Sequence, residues 1–191
     1  AILSRQKMRL LEMGIPDFED NQCRLLCAGD ENTTIINVYV PNGSAVGSDK
    51  FEYKIKWLNA LKTWLTRLAQ EKNNLILLGD FNIAPDDEDV HDPELWRDKI
   101  LCSADERNLL ESIKALGLID TFREFSQADS SFSWWDYRAG GFPRNRGLRI
   151  DLILASIAMK KNLKSSVIDS TPRGWEKPSD HAPVVVELTF N

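Results

Sequence analysis

The sequence predicts an α+β fold, with helices packed against sheets rich in antiparallel pairs. Three observations predict it. Short apolar runs such as Leu75-Ile76-Leu77-Leu78, Leu152-Ile153-Leu154 and Val184-Val185-Val186 have the length and content of buried strands. Two segments carry helical periodicity instead, one long and one short. The two kinds of element mix with hairpin-like spacing and without a βαβ rhythm, which favours helices on antiparallel-rich sheets.

In order along the chain, Ala1-Ile2-Leu3-Ser4 reads as the middle of a strand, and no initiator Met precedes it. The expectation is therefore a piece of a longer domain or a processed product. Residues 24–28 and 33–40 read as two strands joined by the polar turn Gly29-Asp30-Glu31-Asn32. Residues 49–71 form a strong amphipathic helix, because Phe51, Ile55, Leu58, Leu61, Leu65 and Leu68 recur at helical spacing behind the capping residue Ser48. Residues 74–78 are a strand, and residues 85–102 a long acidic loop. Ser103 and Glu106 have the spacing of a capping box. They open a helix through Leu109, Leu110, Ile113 and Leu116 that Gly117 stops. Residues 132–135 are a short strand, residues 138–149 a basic loop, and residues 148–155 and 183–190 two further strands.

A chain of 191 residues fits one domain. At that size about 70% of the unfolded surface is buried on folding, so no disulfide or metal staple is required. Hydrophobic content of 42% and charged content of 28% are ordinary for a globular protein. No apolar run approaches the ~20 residues of a membrane-spanning helix, and the first residues given do not read as a signal peptide. Cys23, Cys27 and Cys102 are odd in number. No further Cys or His near the first two completes a zinc set, so all three read as reduced thiols in a reducing, cytoplasmic compartment. The net charge of −5 argues against a broad nucleic-acid surface but leaves room for a local patch.

Three polar clusters adjoin the apolar runs: Gly79-Asp80-Phe81-Asn82, Arg149-Ile150-Asp151 and Ser179-Asp180-His181. Each places carboxylates at a strand end, where enzymes carry chemistry. Each also has a plainer reading. Asp80 and Asn82 are turn formers, the more so beside Gly79; functionally, Asp80 could deprotonate a water and Asn82 could hydrogen-bond an oxyanion without adding charge. His181, one of two histidines, could be an ordinary surface or core residue. Beside a carboxylate it would be held cationic and suited to a phosphate, with Asp151 as candidate partner. His91 receives no role. Tyr39 could be strand packing, or a phenol at the rim where Pro41-Asn42 ends the strand. The segment from Arg138 to Arg149, with Arg144 and Arg146, carries no acid between Asp136 and Asp151 and follows Phe132, Trp134, Trp135 and Tyr137. It reads either as a solvated loop after a core strand or as an anion-binding stripe beside stacking aromatics.

Together these residues make the sequence resemble the endonuclease/exonuclease/phosphatase superfamily, and within it the exonuclease III type of abasic-site endonuclease. The general resemblance rests on Gly79-Asp80-Phe81-Asn82 and Ser179-Asp180-His181-Ala182-Pro183. The closer one rests on residues 132–138 (FSWWDYR), residues 145–152 (NRGLRIDL) and residues 176–181 (EKPSDH). It extends over nearly the whole chain. The resemblance implies a four-layer α/β/β/α sandwich of two mostly antiparallel sheets flanked by helices, incomplete at the N-terminus. Residues 1–191 would then be the C-terminal three quarters or so of a single domain.

It also implies roles. Tyr39 matches a tyrosine beside the scissile phosphate, Asp80 the aspartate that activates the attacking water, and Asn82 the asparagine beside it. Asp151 matches the carboxylate that orients the phosphate-contacting His181. Asp180 matches a carboxylate at the metal site, which Asp80 and Asn82 adjoin, while the family's main glutamate ligand would precede Ala1. Trp134 and Leu148 match the apolar pocket for a flipped abasic sugar. Asn42 sits where the family often has a phosphate-contacting amide, and the basic stripe read above adds Arg144 and Arg146 as expected phosphate contacts. The implied activity is a phosphodiesterase of DNA base-excision repair that depends on Mg2+ (or Mn2+), acts on double-stranded DNA at abasic sites and 3′ ends, and works as a monomer away from membranes. Two rivals remain open at this point. One is another superfamily branch, such as a phosphoinositide phosphatase; the other is a non-catalytic fragment that binds nucleic acid or a partner.

Overall fold

The computed structural model describes residues 1–190. Its larger sheet has six strands in the order β1-β2-β3-β4-β6-β5. They are β1 (Arg9–Met13), β2 (Leu25–Gly29), β3 (Thr34–Tyr39), β4 (Leu75–Asp80), β5 (Leu118–Asp120) and β6 (Asp151–Ser156). A second sheet pairs β7 (Leu163–Ile168) with β8 (Val184–Leu188). The mixed fold of two sheets and helices is the one the sequence predicts. All pairings are antiparallel except β3 with β4. That parallel pair is joined by helix α1 (Asp49–Glu71), so one βαβ unit does exist, against the expectation.

Helix α1 begins where its cap dictates, with the Ser48 hydroxyl accepting from the Phe51 amide. Its stripe of Trp57, Leu58, Leu61, Trp64 and Leu65 packs on Ile36, Val38, Leu75, Leu77, Leu152 and Leu154 of the sheet. Helix α2 (Pro93–Trp96) is one turn inside the acidic loop. Helix α3 (Ala104–Lys114) adds Leu110 and Ile113 to the same cluster. Each such side chain contributes roughly 1.5–3 kcal/mol on full burial, so this face is the main source of stability. The opposite face presents Ile76, Ile153 and Ala155, which pack with Val184, Val186 and Leu188 of β8. Among the described residues the layers are therefore helices, the large sheet and the small sheet. Val167 and Val185 of the small sheet are largely exposed.

Several sequence expectations need correction. Ala1–Ser4 is irregular chain rather than strand. An apolar run becomes a strand only where a neighbour supplies ladder hydrogen bonds, and the bonds made there are isolated ones, Asn37 Nδ2 donating to the Ala1 carbonyl and the Gln6 amide donating to the Ser4 hydroxyl. The first strand is β1, which the sequence reading missed because all five of its residues are exposed and show no buried periodicity. Strands β5 and β7 were also missed, one because it has only three residues and the other because LKSSVI is half polar. The acidic loop holds a 3₁₀ turn (Asp87–Asp89) as well as α2. Residues 132–135 form no strand; Trp134 makes isolated bridges to Leu148 and to His181, and the strand expected from 148 starts at Asp151.

Candidate active site

Register explains why distant residues meet. Tyr39 pairs with Asp80 across β3 and β4, and Asp80 pairs with Asp151 across β4 and β6. Residues paired across strands point to the same face. The row Tyr39, Asp80, Asp151 thus continues the rows of Ile76 with Ala155 and Leu78 with Ile153, on the face turned towards the small sheet. The row lies at one end of the sheet, where the apolar packing has run out. Gly79, just before, adopts φ +136°, and an added Cβ would lie 1.9 Å from the Val38 carbonyl oxygen. Only glycine lets β4 approach β3 closely enough to set Asp80 beside Tyr39.

His181 arrives from the other side. The Trp134 bridge, the Trp135 amide on the Asp180 carbonyl (3.0 Å) and the Ala182 amide on the Ser133 carbonyl (2.7 Å) lay residues 133–135 along residues 180–182. Leu148 bridges Trp134 from the opposite flank. Residues from the three long motifs are thereby stitched side by side, which no single apolar period could announce.

One ligand atom each from Asp80, Asp151 and His181 lie within 4.8 Å of one another. His181 Nδ1 is 2.8 Å from Asp151 Oδ2, while Asp180 faces away and its Oδ2 accepts from the Trp134 indole N–H at 2.9 Å. The expected pairing with Asp151, rather than with the sequence neighbour, is the one observed. Asp151 Oδ2 also accepts from the Ser133 hydroxyl (2.7 Å), and that oxygen in turn accepts from the Ile150 and Asp151 amides (3.0 Å each). Asn82 holds Asp80: its amide donates to Oδ1 (2.8 Å) and its side-chain Nδ2 to Oδ2 (3.0 Å). Asn82 is buried at φ +49°, a conformation asparagine tolerates better than most. Its Oδ1 accepts from Asn42 Nδ2 at 2.9 Å.

The electrostatics follow from this crowding. Burial, then the Asp151 charge, pushes the Asp80 carboxyl up to about 6, despite the Asn82 amide, His181 and Lys54. Burial alone would lower the His181 pKa; the hydrogen bond and charge of Asp151, with Asp80 and Asp180, raise it above its ordinary value. The site therefore holds negative charge that is incompletely offset, beside an imidazole biased towards its cationic form.

The other expected residues divide. Tyr39 is half exposed, with the Arg24 guanidinium 5.1 Å from its ring centroid. Arg144 and Arg146 are exposed and make no ion pair among the described residues. Leu148 is fully buried and packs with Val90 and Trp134, so only the part-exposed Trp134 of the expected apolar pair reaches solvent. Arg149 is no part of a surface stripe. It is fully buried, grips Asp89 through Nε (2.6 Å) and Nη2 (3.1 Å), and pairs with Asp120 at 2.8 Å. This network fastens the acidic loop beside Leu148 and Ile150. His91 sits 3.2 Å from the Gly147 carbonyl.

Sequence reading passed over Ser133 and Lys54. Ser133 lies inside the aromatic motif and gives no signal of its own. Lys54 does give one: it stands three residues after Phe51 and four before Leu58, on the apolar stripe of α1. It is fully buried and its ammonium meets Glu106, the N3 residue of the α3 capping box.

Comparison with known proteins places these features. A family model described as "Endonuclease/Exonuclease/phosphatase family" matches residues 1–181. The chain is 36% identical to an exodeoxyribonuclease III of Haemophilus influenzae over 98% of its own length and 75% of that protein's. Among solved structures it resembles a 3′ phosphatase from Neisseria bound to a product DNA hairpin, with 42% identity and a TM-score of 0.89 over 97% of this chain and 71% of the other. It also resembles an AP endonuclease from Archaeoglobus fulgidus, with 31% identity and a TM-score of 0.88 over 94% and 70% of the two chains.

Proposed function

The chain belongs to the endonuclease/exonuclease/phosphatase family, and from that premise we propose that it is a repair phosphodiesterase that cuts double-stranded DNA at abasic sites and trims 3′ ends. The observation that carries this reading is the Asp80–Asp151–His181 cluster at the open end of the sheet row, with Tyr39 in register beside it. We further propose that it works as a monomer in a reducing compartment, in keeping with its free cysteines.

In this reading Asp80 takes a proton from the attacking water. Both its oxygens are held by Asn82, so the carboxylate is oriented before substrate arrives. Asp151 accepts from His181 Nδ1–H, and in the imidazolium form that Asp151 favours, Nε2–H is left to donate to a phosphate oxygen. Tyr39 offers a phenol at the rim, and Trp134 the apolar wall for an abasic sugar. Asn42, Arg144 and Arg146 hold the backbone phosphates. The donor set fits a hard divalent cation such as Mg2+, because two of its three members are carboxylates. Asp80 and Asp151 would hold the ion with Asn82 adjoining, whereas Asp180, expected at the metal site, is turned to the Trp134 indole instead; when bound, the ion would supply stabilisation of charge on the phosphate and leaving oxygen.

The test is turnover of a duplex bearing one synthetic abasic site, with Mg2+ and with chelator, by wild type and Asp80→Asn. The expected result is metal-dependent incision by the wild type and a loss of about 10²–10⁴-fold in the variant, with DNA binding retained. Absence of incision by the wild type, or preferred turnover of an inositol phosphate, overturns the reading.

A further inference from the structure

We infer that Lys54, fully buried on α1, is a positioning residue that holds the Asn42–Asn82 pair and, through Asn82, the carboxylate of Asp80. An ammonium has three N–H donors and no acceptor. Each donor of Lys54 finds one partner: the Asn42 carbonyl at 3.2 Å, the Asn82 carbonyl at 2.6 Å and the Glu106 carboxylate. Two of the three are backbone oxygens of the very residues whose side chains bond each other. Asn82 is thus gripped at both ends of its backbone, its amide by Asp80 and its carbonyl by Lys54. That double grip keeps it at φ +49°, off the usual backbone regions.

The turn after Asn42 is shaped to the lysine stem. Gly43 has φ +89°, and a Cβ there would meet Ile100 Cδ1 at 2.9 Å and Lys54 Cδ at 3.1 Å. One side chain from α1 therefore ties together the loop after β3, the loop after β4 and the start of α3. Net stabilisation is a poor explanation for such a pair, since hydrophobic replacements of buried ion pairs are often neutral or stabilising. What the pair does supply is a fixed direction for two carbonyls.

The activity arm of the test rests on the nuclease reading; the spectroscopic arm does not. The variants are Lys54→Met/Glu106→Gln, which removes both buried charges while Gln keeps the capping spacing, Glu106→Gln alone, and Lys54→Gln, which retains two donors. The readouts are melting temperature, the side-chain amide resonances of Asn42 and Asn82, and the split between kcat and KM on abasic duplex. In the wild type and in Glu106→Gln both amide pairs should keep dispersed, slowly exchanging resonances. In the double variant, still folded, they should move to solvent-like shifts, and kcat should fall about 10–100-fold with KM nearly unchanged. Lys54→Gln should recover part of both effects. Should the double variant fail to fold, Lys54→Gln carries the same comparison against Glu106→Gln. Native amide resonances in whichever Lys54 variant folds, or an equal kcat loss in Glu106→Gln, overturn the inference. A wild type inactive on DNA would overturn the nuclease reading, and the amide resonances would still decide the role of Lys54.

Discussion

The carboxylate of Asp80 is partly buried beside a second carboxylate, that of Asp151. Burial and the Asp151 charge raise it to about 6, while Asp151 and the nearby Asp80 raise His181 above its ordinary value. The consequences for stability have the same sign. A carboxyl raised on folding binds more protons in the native state, so stability falls as pH rises from about 3.8, the unfolded value, through about 6. A histidine raised on folding contributes stability that is complete below its unfolded value of 6.5 and is lost as pH rises through its folded value. In the metal-free protein, carbon-detected titration should therefore show the Asp80 carboxyl with a midpoint near 6 and His181 with a midpoint above 6.5. Because the two groups interact, the midpoints belong to the cluster as a whole. An Asp80 midpoint near 4 would mean that the carboxyl is open to water.

At the scale of elements, the segment from Arg138 to Arg149 is two things joined. Its exposed part carries Arg144 and Arg146, and its end turns inward so that Arg149 can grip Asp89 and Asp120. The same anchoring draws Gly147 against Trp135 and Phe132, where a Cβ would lie 2.5 Å from the indole nitrogen. A loop so tethered holds its exposed arginines on a fixed base. Replacing Arg144 and Arg146 by Gln should weaken duplex binding and reduce the slope of log K against log salt by roughly one unit per lost phosphate contact. Binding titrations at several salt concentrations measure this, and an unchanged slope assigns the loop to solvent alone. Elements also decide what a reader of the sequence sees. Helix α1 and strands β2 to β4 are legible because each buries one continuous face. Strand β1 and the bridges of residues 132–135 are not, because their pairing partners are set by tertiary neighbours rather than by their own periodicity.

For the whole molecule, net charge of −5 and a cluster of acids at one end of the sheet make cation binding the natural route to added stability. A divalent ion that binds only the folded chain adds about 2.7 kcal/mol at one hundred times its Kd, or roughly 5–10 °C in Tm for a chain of this size. Scanning calorimetry with Mg2+ should show that rise in the wild type and little of it in Asp80→Asn. An equal rise in both would move the ion away from Asp80. The sequence alone determined the strand-end placement of Asp80, Asp151, Asp180 and His181, the caps of α1 and α3, and the family resemblance, because these depend on local chemistry and short spacings. Only the tertiary structure decided that His181 turns to Asp151 and Asp180 to Trp134, that Leu148 and Arg149 are buried, and that Lys54 reaches the backs of Asn42 and Asn82. Those outcomes depend on which strand ends the register brings side by side, and the pattern of one strand does not encode its neighbour's register.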